Sequence, residues 1–326
     1  MRPAQITALL HSRGFALAAA FVCLVCAVLC HIYGADDILP ADTGFVLPAA
    51  GSWLGSGWLN FFCALACSGC TIAIALMFNK VHNVLRALTY LYAPLFLVMQ
   101  LATPSVMLHL STGTILAVVV PLCMYLLFNC YRDPAATRQV FMISFILSAF
   151  SATQYCYVIY IPAMLIGCAQ MRIFSGRTVS AALMGIATPW ILLLGYGIIS
   201  PDEIVFPELG SIFSAIDLQH IFLSLVVIGF TTLAMLVCYA LGVLKTIAYN
   251  ARARAFSGAF AVVMLFTVLA MCVDFHNIDT YVPLLNFCAA IQITHYFSTH
   301  RADKSFIAVL SIIAVYAAFF VCQIAI

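Results

Sequence analysis

Residues 14–33 read GFALAAAFVCLVCAVLCHIY, a run whose only ionisable side chain other than cysteine and tyrosine is His31. At roughly 1.5 Å of helix per residue, such a run matches the hydrocarbon thickness of a bilayer and reads as a membrane span. Arg2 and Arg13 precede it, and Asp36 and Asp37 follow it. Working outward, the same order recurs along the chain: basic cluster, apolar run, polar or acidic turn, apolar run, basic cluster. That alternation decides the fold.

The 13 Lys and Arg residues form six groups. They are Arg2 with Arg13, Lys80 with Arg86, Arg132 with Arg138, Arg172 with Arg177, Lys245 with Arg252 and Arg254, and Arg301 with Lys304. Of the 11 acids, only Asp133 and Asp303 share their side; Asp36, Asp37, Asp42, Asp202, Glu203, Glu208, Asp217, Asp274 and Asp279 fall in the gaps between. Lys and Arg mark cytoplasmic loops, so the six groups belong on one side. An even number of spans must then separate any two groups.

Parity threads the chain. Spans are expected near 14–33, 58–78, 88–104 and 112–130, the third and fourth turning at 103–105. Only 33 residues lie between Arg138 and Arg172, so that stretch holds two short crossings or a re-entrant hairpin, within about 139–171. Further spans are expected near 179–199, 220–243, 257–273, 281–299 and 305–324. The result is an all-α polytopic bundle of about 11 spans, N-in and C-out. Residues 1–326 read as a single integral membrane domain whose first span is retained, because its apolar run exceeds a signal-peptide core. Helices rather than a barrel are expected, because the runs are long and lack period-two alternation.

Composition agrees. The chain is 65% hydrophobic and 7% charged, with mean hydropathy +1.14. Soluble domains carry about 25% charged residues, so a soluble fold is excluded. No basic face exists outside the loops, which excludes nucleic acid as a partner. Most of the 14 cysteines lie in apolar runs, where they read as small packing residues between helices rather than as a disulfide framework. Cys67 and Cys70 form a lone CxxC with no companion motif. No phosphate loop, dinucleotide fingerprint or hydrolase motif is present.

Candidate chemistry concentrates on the acidic side. Asp36 and Asp37 are adjacent carboxylates at the end of a span, suited to a catalytic base or a divalent cation. The competing reading is a solvated loop. Asp274, His276 and Asp279 lie within six residues and have the chemistry of a metal site, or of a polar turn. Tyr155, Tyr157, Tyr160 and Trp53 can line a sugar or head-group site, or form the interfacial aromatic belt. Gln292 and His295 stand one turn apart near the basic end of their span. Mid-span Asp, Glu, Lys and Arg are lacking, which speaks against ion-coupled transport. The basic loops around Arg172–Arg177 and Arg252–Arg254 suit anionic head groups or a phosphate.

The stretch 111–199 carries Leu108-His-Leu-Ser-Thr-Gly113 at its start, the Arg132-Asp133-Pro134 loop, the short hairpin, Arg172-Ile-Phe-Ser-Gly-Arg177 and Gly185-Ile-Ala-Thr188-Pro189. In these features it resembles an uncharacterised family of multi-pass inner-membrane proteins of Bacteroidota. That resemblance implies a bacterial cytoplasmic (inner) membrane location and no particular activity. A second likeness is to polytopic glycosyltransferases of the GT-C type, which use polyprenyl-phosphate sugars. It rests on an acid just after the first span, the place of Asp36 or Asp37. It implies a glycosyltransferase or polymerase acting on lipid-linked glycan at the outer leaflet, assisted by a divalent cation. The chain departs from that family in lacking a large outer loop or outer domain. Two other functions fit the residues. One is a non-enzymatic subunit or scaffold contacting envelope-complex proteins. The other is a small-molecule or lipid transporter, which would need a polar midplane path and a helix broken at Thr103-Pro104 or Thr188-Pro189.

Overall fold

The computed structural model describes residues 9–33, 45–48, 50–85, 89–133, 135–200, 218–246, 251–299 and 305–325, and among them there is no strand. The chain begins with α1 (Arg13–Tyr33) and α2 (Gly57–His82). A broken segment follows, α3 (Tyr92–Leu101) and α4 (Pro104–Leu108), and then α5 (Thr112–Asn129). The hairpin is α6 (Thr137–Ser151) and α7 (Tyr160–Gln170), with a 3-10 turn at Tyr155–Ile159. Last come α8 (Gly176–Gly195), α9 (Leu218–Thr246), α10 (Ala251–Val273), α11 (Ile278–Thr299) and α12 (Ser305–Ala325). Seven of the described helices, α1, α2, α5, α8, α9, α10 and α12, are long and apolar enough to cross a membrane.

The outer faces say where these helices live. Leu17, Phe21, Leu183, Ile191, Leu233 and Val321 are all more than half exposed. Water would penalise so continuous an apolar surface, whereas lipid tails do not. The protein is a membrane-embedded helical bundle.

α11 is the hub. Every residue from Tyr281 to Thr294 is buried, and the helix packs against α3, α5, α9 and α10. It is less apolar than its neighbours because it carries Asn286, Gln292, Thr294 and His295. A helix surrounded by protein can carry such groups, because neighbouring helices rather than lipid supply their partners. Small residues set its spacing. A Cβ at Gly113 of α5 would lie 2.6 Å from the Thr280 carbonyl oxygen. At Gly185 of α8 it would lie 2.6 Å from the Phe141 carbonyl oxygen of α6, and there the Ser148 hydroxyl donates to the Ile186 carbonyl at 2.7 Å. Both are close backbone approaches of the kind that pack helices in membranes.

Two expectations change. Thr103-Pro104 is not the reversal between spans: it breaks one segment into α3 and α4. Pro104 has no N–H to continue α3, so it starts a new helix at its first position. The reversal lies at His109–Ser111, where the Leu110 N–H donates to Asn60 Oδ1 and Ser111 with Thr114 forms the capping box of α5. Thr188-Pro189 is not a break: α8 runs through it, and the Thr188 hydroxyl donates to the Met184 carbonyl at 2.6 Å. The hairpin is deep. Its base lies beside Tyr131, whose ring faces Arg252 at the start of α10, and its tip reaches Asp274 just past the end of α10. Phe256–Val273 of α10 measures roughly 25 Å, so the hairpin covers most of a bilayer's depth.

Among the described residues, Arg13, Arg132 and Arg252 sit at the same end of the bundle. Arg13 Nε donates to the Tyr90 hydroxyl at 2.6 Å. The Arg132 N–H donates to the Met171 carbonyl at 3.1 Å, and the Arg252 guanidinium stands 6.0 Å from the Tyr131 ring. The Ser298 hydroxyl donates to the Leu85 carbonyl at 2.8 Å, tying the end of α11 to the loop after α2.

Candidate functional site

The end opposite the basic groups is organised around Asp274, which is 2% exposed. Residues 274–277 turn tightly between α10 and α11, and that turn points the carboxylate inward. Asp274 Oδ2 accepts from the Tyr155 hydroxyl at 2.7 Å and from the Tyr281 hydroxyl at 2.9 Å. Oδ1 accepts from Asn277 Nδ2 at 3.0 Å, and the same amide donates to the Tyr155 oxygen at 2.7 Å. Three donors therefore hold one carboxylate and lock the hairpin tip to the α10–α11 turn.

This arrangement redistributes the residues singled out by sequence. Asp274 accepts from Tyr155, Asn277 and Tyr281. Among the described residues no group of three His, Cys, Asp or Glu side chains is placed to hold a metal ion. Asp279 stands in the first turn of α11. Asp36, Asp37 and the His276 side chain lie outside the described residues. Tyr157 and Tyr160 have no exposed surface. The Tyr157 hydroxyl donates to the Thr112 carbonyl at 3.4 Å, and the Tyr160 hydroxyl pairs with Thr267 Oγ1 at 3.2 Å. Both rings are buried and link the hairpin to α5 and α10. Trp53 is 46% exposed, and its indole N–H donates to the Pro48 carbonyl at 2.9 Å. Residues 45–47 are anchored beside this cluster. The Phe45 N–H donates to the Thr153 carbonyl at 3.0 Å, the Leu47 N–H donates to the Ala152 carbonyl at 2.9 Å, and the Phe45 ring lies 6.5 Å from that of Tyr155.

A second set of polar groups runs down α11 into the bundle. Asn286 Nδ2 donates to Gln100 Oε1 at 3.1 Å, and both residues are 2% exposed. Gln100 is in the last turn of α3, immediately before the break at Ala102–Thr103. The buried hydroxyls of Tyr92 and Thr294 have no hydrogen-bond partner. Buried polar groups are almost always satisfied, so each of these two hydroxyls needs a reason.

At the basic end, α11 opens into a cavity lined by His82, Asn83, Ser257, Gln292 and His295 among others, with about 450 Å³ of space, part of it open to solvent. Sequence reasoning had paired Gln292 with His295 but missed Gln100, Asn286, Asn277, Tyr281 and His82. The available signal was an amide inside an apolar run, as at Gln100 and Asn286, because such residues are rare in spans unless they face protein.

No protein-family description, curated protein or solved structure matches this chain.

Proposed function

We propose that this protein is a facilitative transporter of a bacterial inner membrane, N-in and C-out, which moves a small polar solute along α11. The observation that carries the proposal is the Gln100–Asn286 pair beside the α3–α4 break. Discontinuous helices frame midplane binding sites in transporters, because their unwound backbone offers polar groups where lipid cannot reach. The depth fits. Gln100 is eight residues into α3, which starts beside the Arg13–Tyr90 contact, and Asn286 is eight residues into α11 from the Asp274 end. Each is roughly 12 Å from its own end of a bilayer about 30 Å thick. The orphaned Tyr92 and Thr294 hydroxyls are groups that a passing solute can satisfy. Gln100, Asn286, Tyr92 and Thr294 are uncharged side chains, which favours a neutral solute and passage without ion coupling.

Osmotic swelling of proteoliposomes in glycerol, erythritol and sorbitol tests this reading. Swelling above that of protein-free liposomes is expected for at least one polyol, with loss in Gln100→Leu and Asn286→Leu and retention in Cys322→Ser, an exposed residue of α12. Rates equal to empty liposomes across the series would sink it.

One observation favours a different reading, the outer-leaflet transferase acting on polyprenyl-phosphate-linked glycan. Residues 45–47 bond to Ala152 and Thr153, and the Phe45 ring lies 6.5 Å from that of Tyr155, which itself donates to Asp274; Asp36, Asp37 and Asp42 precede them in the chain and lie outside the described residues. Sugar release from a polyprenyl-phosphate donor that depends on added Mn²⁺ and on Asp36 or Asp37 would move the assignment there.

A further inference from the structure

We propose that the cavity at the basic end is a binding site for a phosphate group, either a free phosphate-bearing solute or the phosphodiester of an anionic lipid. The proposal does not rest on the transport reading.

Four observations meet there. First, both ring nitrogens of His82 are buried and have no hydrogen-bond partner, although the ring is held edge-on by Tyr125, Phe128 and Phe256 at 5.3–5.7 Å. Aromatic packing fixes where the imidazole points but satisfies neither nitrogen, so a ligand in the cavity supplies what the protein does not. Second, the polar lining includes Asn83, Ser257 and Gln292, each with a donor group, together with His295, and among the described lining residues there is no carboxylate. That lining suits an anion better than a cation. Third, Arg252 stands beside the cavity with its guanidinium 5.3 Å from the ring of Phe256, a lining residue. Fourth, the cavity borders the start of α10. That first turn holds Arg252 and Arg254 and no acid. Cations at a helix N-terminus oppose the helix dipole, and a bound anion relieves both. Imidazole, guanidinium and helix start converge on phosphate chemistry.

The test uses the full chain in phosphatidylcholine nanodiscs, with thermal unfolding followed at matched ionic strength as inorganic phosphate is added. For a soluble ligand, phosphate raises Tm saturably, and His82→Phe and Arg252→Gln each weaken half-saturation roughly tenfold, the usual worth of one charge-assisted hydrogen bond. For a lipid ligand, inorganic phosphate has no effect, phosphatidylglycerol nanodiscs raise Tm above phosphatidylcholine nanodiscs, and both variants remove that difference. His82→Phe keeps the aromatic cage, so its baseline Tm should stay near wild type. If it does not fold, Arg252→Gln, an exposed residue, carries the test alone. The proposal is overturned if neither phosphate source stabilises the wild type, or if Arg252→Gln responds as the wild type does.

Discussion

Asp274 accepts from Tyr155, Tyr281 and Asn277, and each partner can be removed singly. Asp274→Asn replaces an acceptor oxygen with an amide that faces donors. It should lower stability by about 1–3 kcal/mol, measured by thermal unfolding in detergent. Tyr281→Phe removes one donor and should cost about 1 kcal/mol. The double variant should lose less than the sum, because the two share one bond. The Gln100–Asn286 pair separates stability from function. Asn286→Leu leaves the Gln100 carbonyl buried without its donor and should destabilise by about 1–3 kcal/mol. Adding Gln100→Leu should restore much of that stability, since an apolar pair needs no partners, while polyol flux stays lost. Recovery of flux in the double variant would end the transport reading. Cys130, which follows α5, has its thiol pushed up to about 11, first by burial and then by Asp133. Its thiolate is scarce below that pH, so maleimide labelling in detergent should be slow at pH 7 and keep rising toward pH 11.

Among the elements, the α6–α8 contact depends on Gly185. A side chain there meets the Phe141 carbonyl oxygen and Ser144 Cβ, both within 3 Å, and backbone cannot move aside cheaply. Gly185→Val should therefore cost more than Ser148→Ala, which loses only the bond to the Ile186 carbonyl; a Gly185→Val protein with wild-type Tm would contradict this packing. The broken α3–α4 segment depends on Pro104. Pro104→Ala restores a backbone donor and lets the helix run on, so it should lower flux more than it lowers Tm. The sequence showed a proline at each of two candidate breaks without saying which helix would yield. Thr103-Pro104 broke because α4 is held separately by α1, α2 and α11. Thr188-Pro189 did not, because α8 lies along α6 for much of its length and the Thr188 hydroxyl takes up a carbonyl one turn back.

For the whole molecule, sidedness is the prediction to check. With the basic groups cytoplasmic, a periplasm-active reporter fused after Ile326 should be active and one fused before Met1 inactive. Charge distribution and run length determined the helical membrane class and the shared end of the described residues Arg13, Arg132 and Arg252, because both follow from the cost of taking charge and unpaired backbone into lipid. Those costs are local and are legible residue by residue. They also marked Asp274 and the tyrosines as notable, because polar groups between apolar runs stand out. What each of them touches was decided only by the tertiary structure. Tyr155 and Asp274 are 119 residues apart in the chain, and Gln100 and Asn286 are 186 apart. Their pairing is set by how the helices pack, not by any spacing in the sequence. The same packing buried Tyr157 and Tyr160, and put His82 beside α10 with no hydrogen-bond partner for either ring nitrogen.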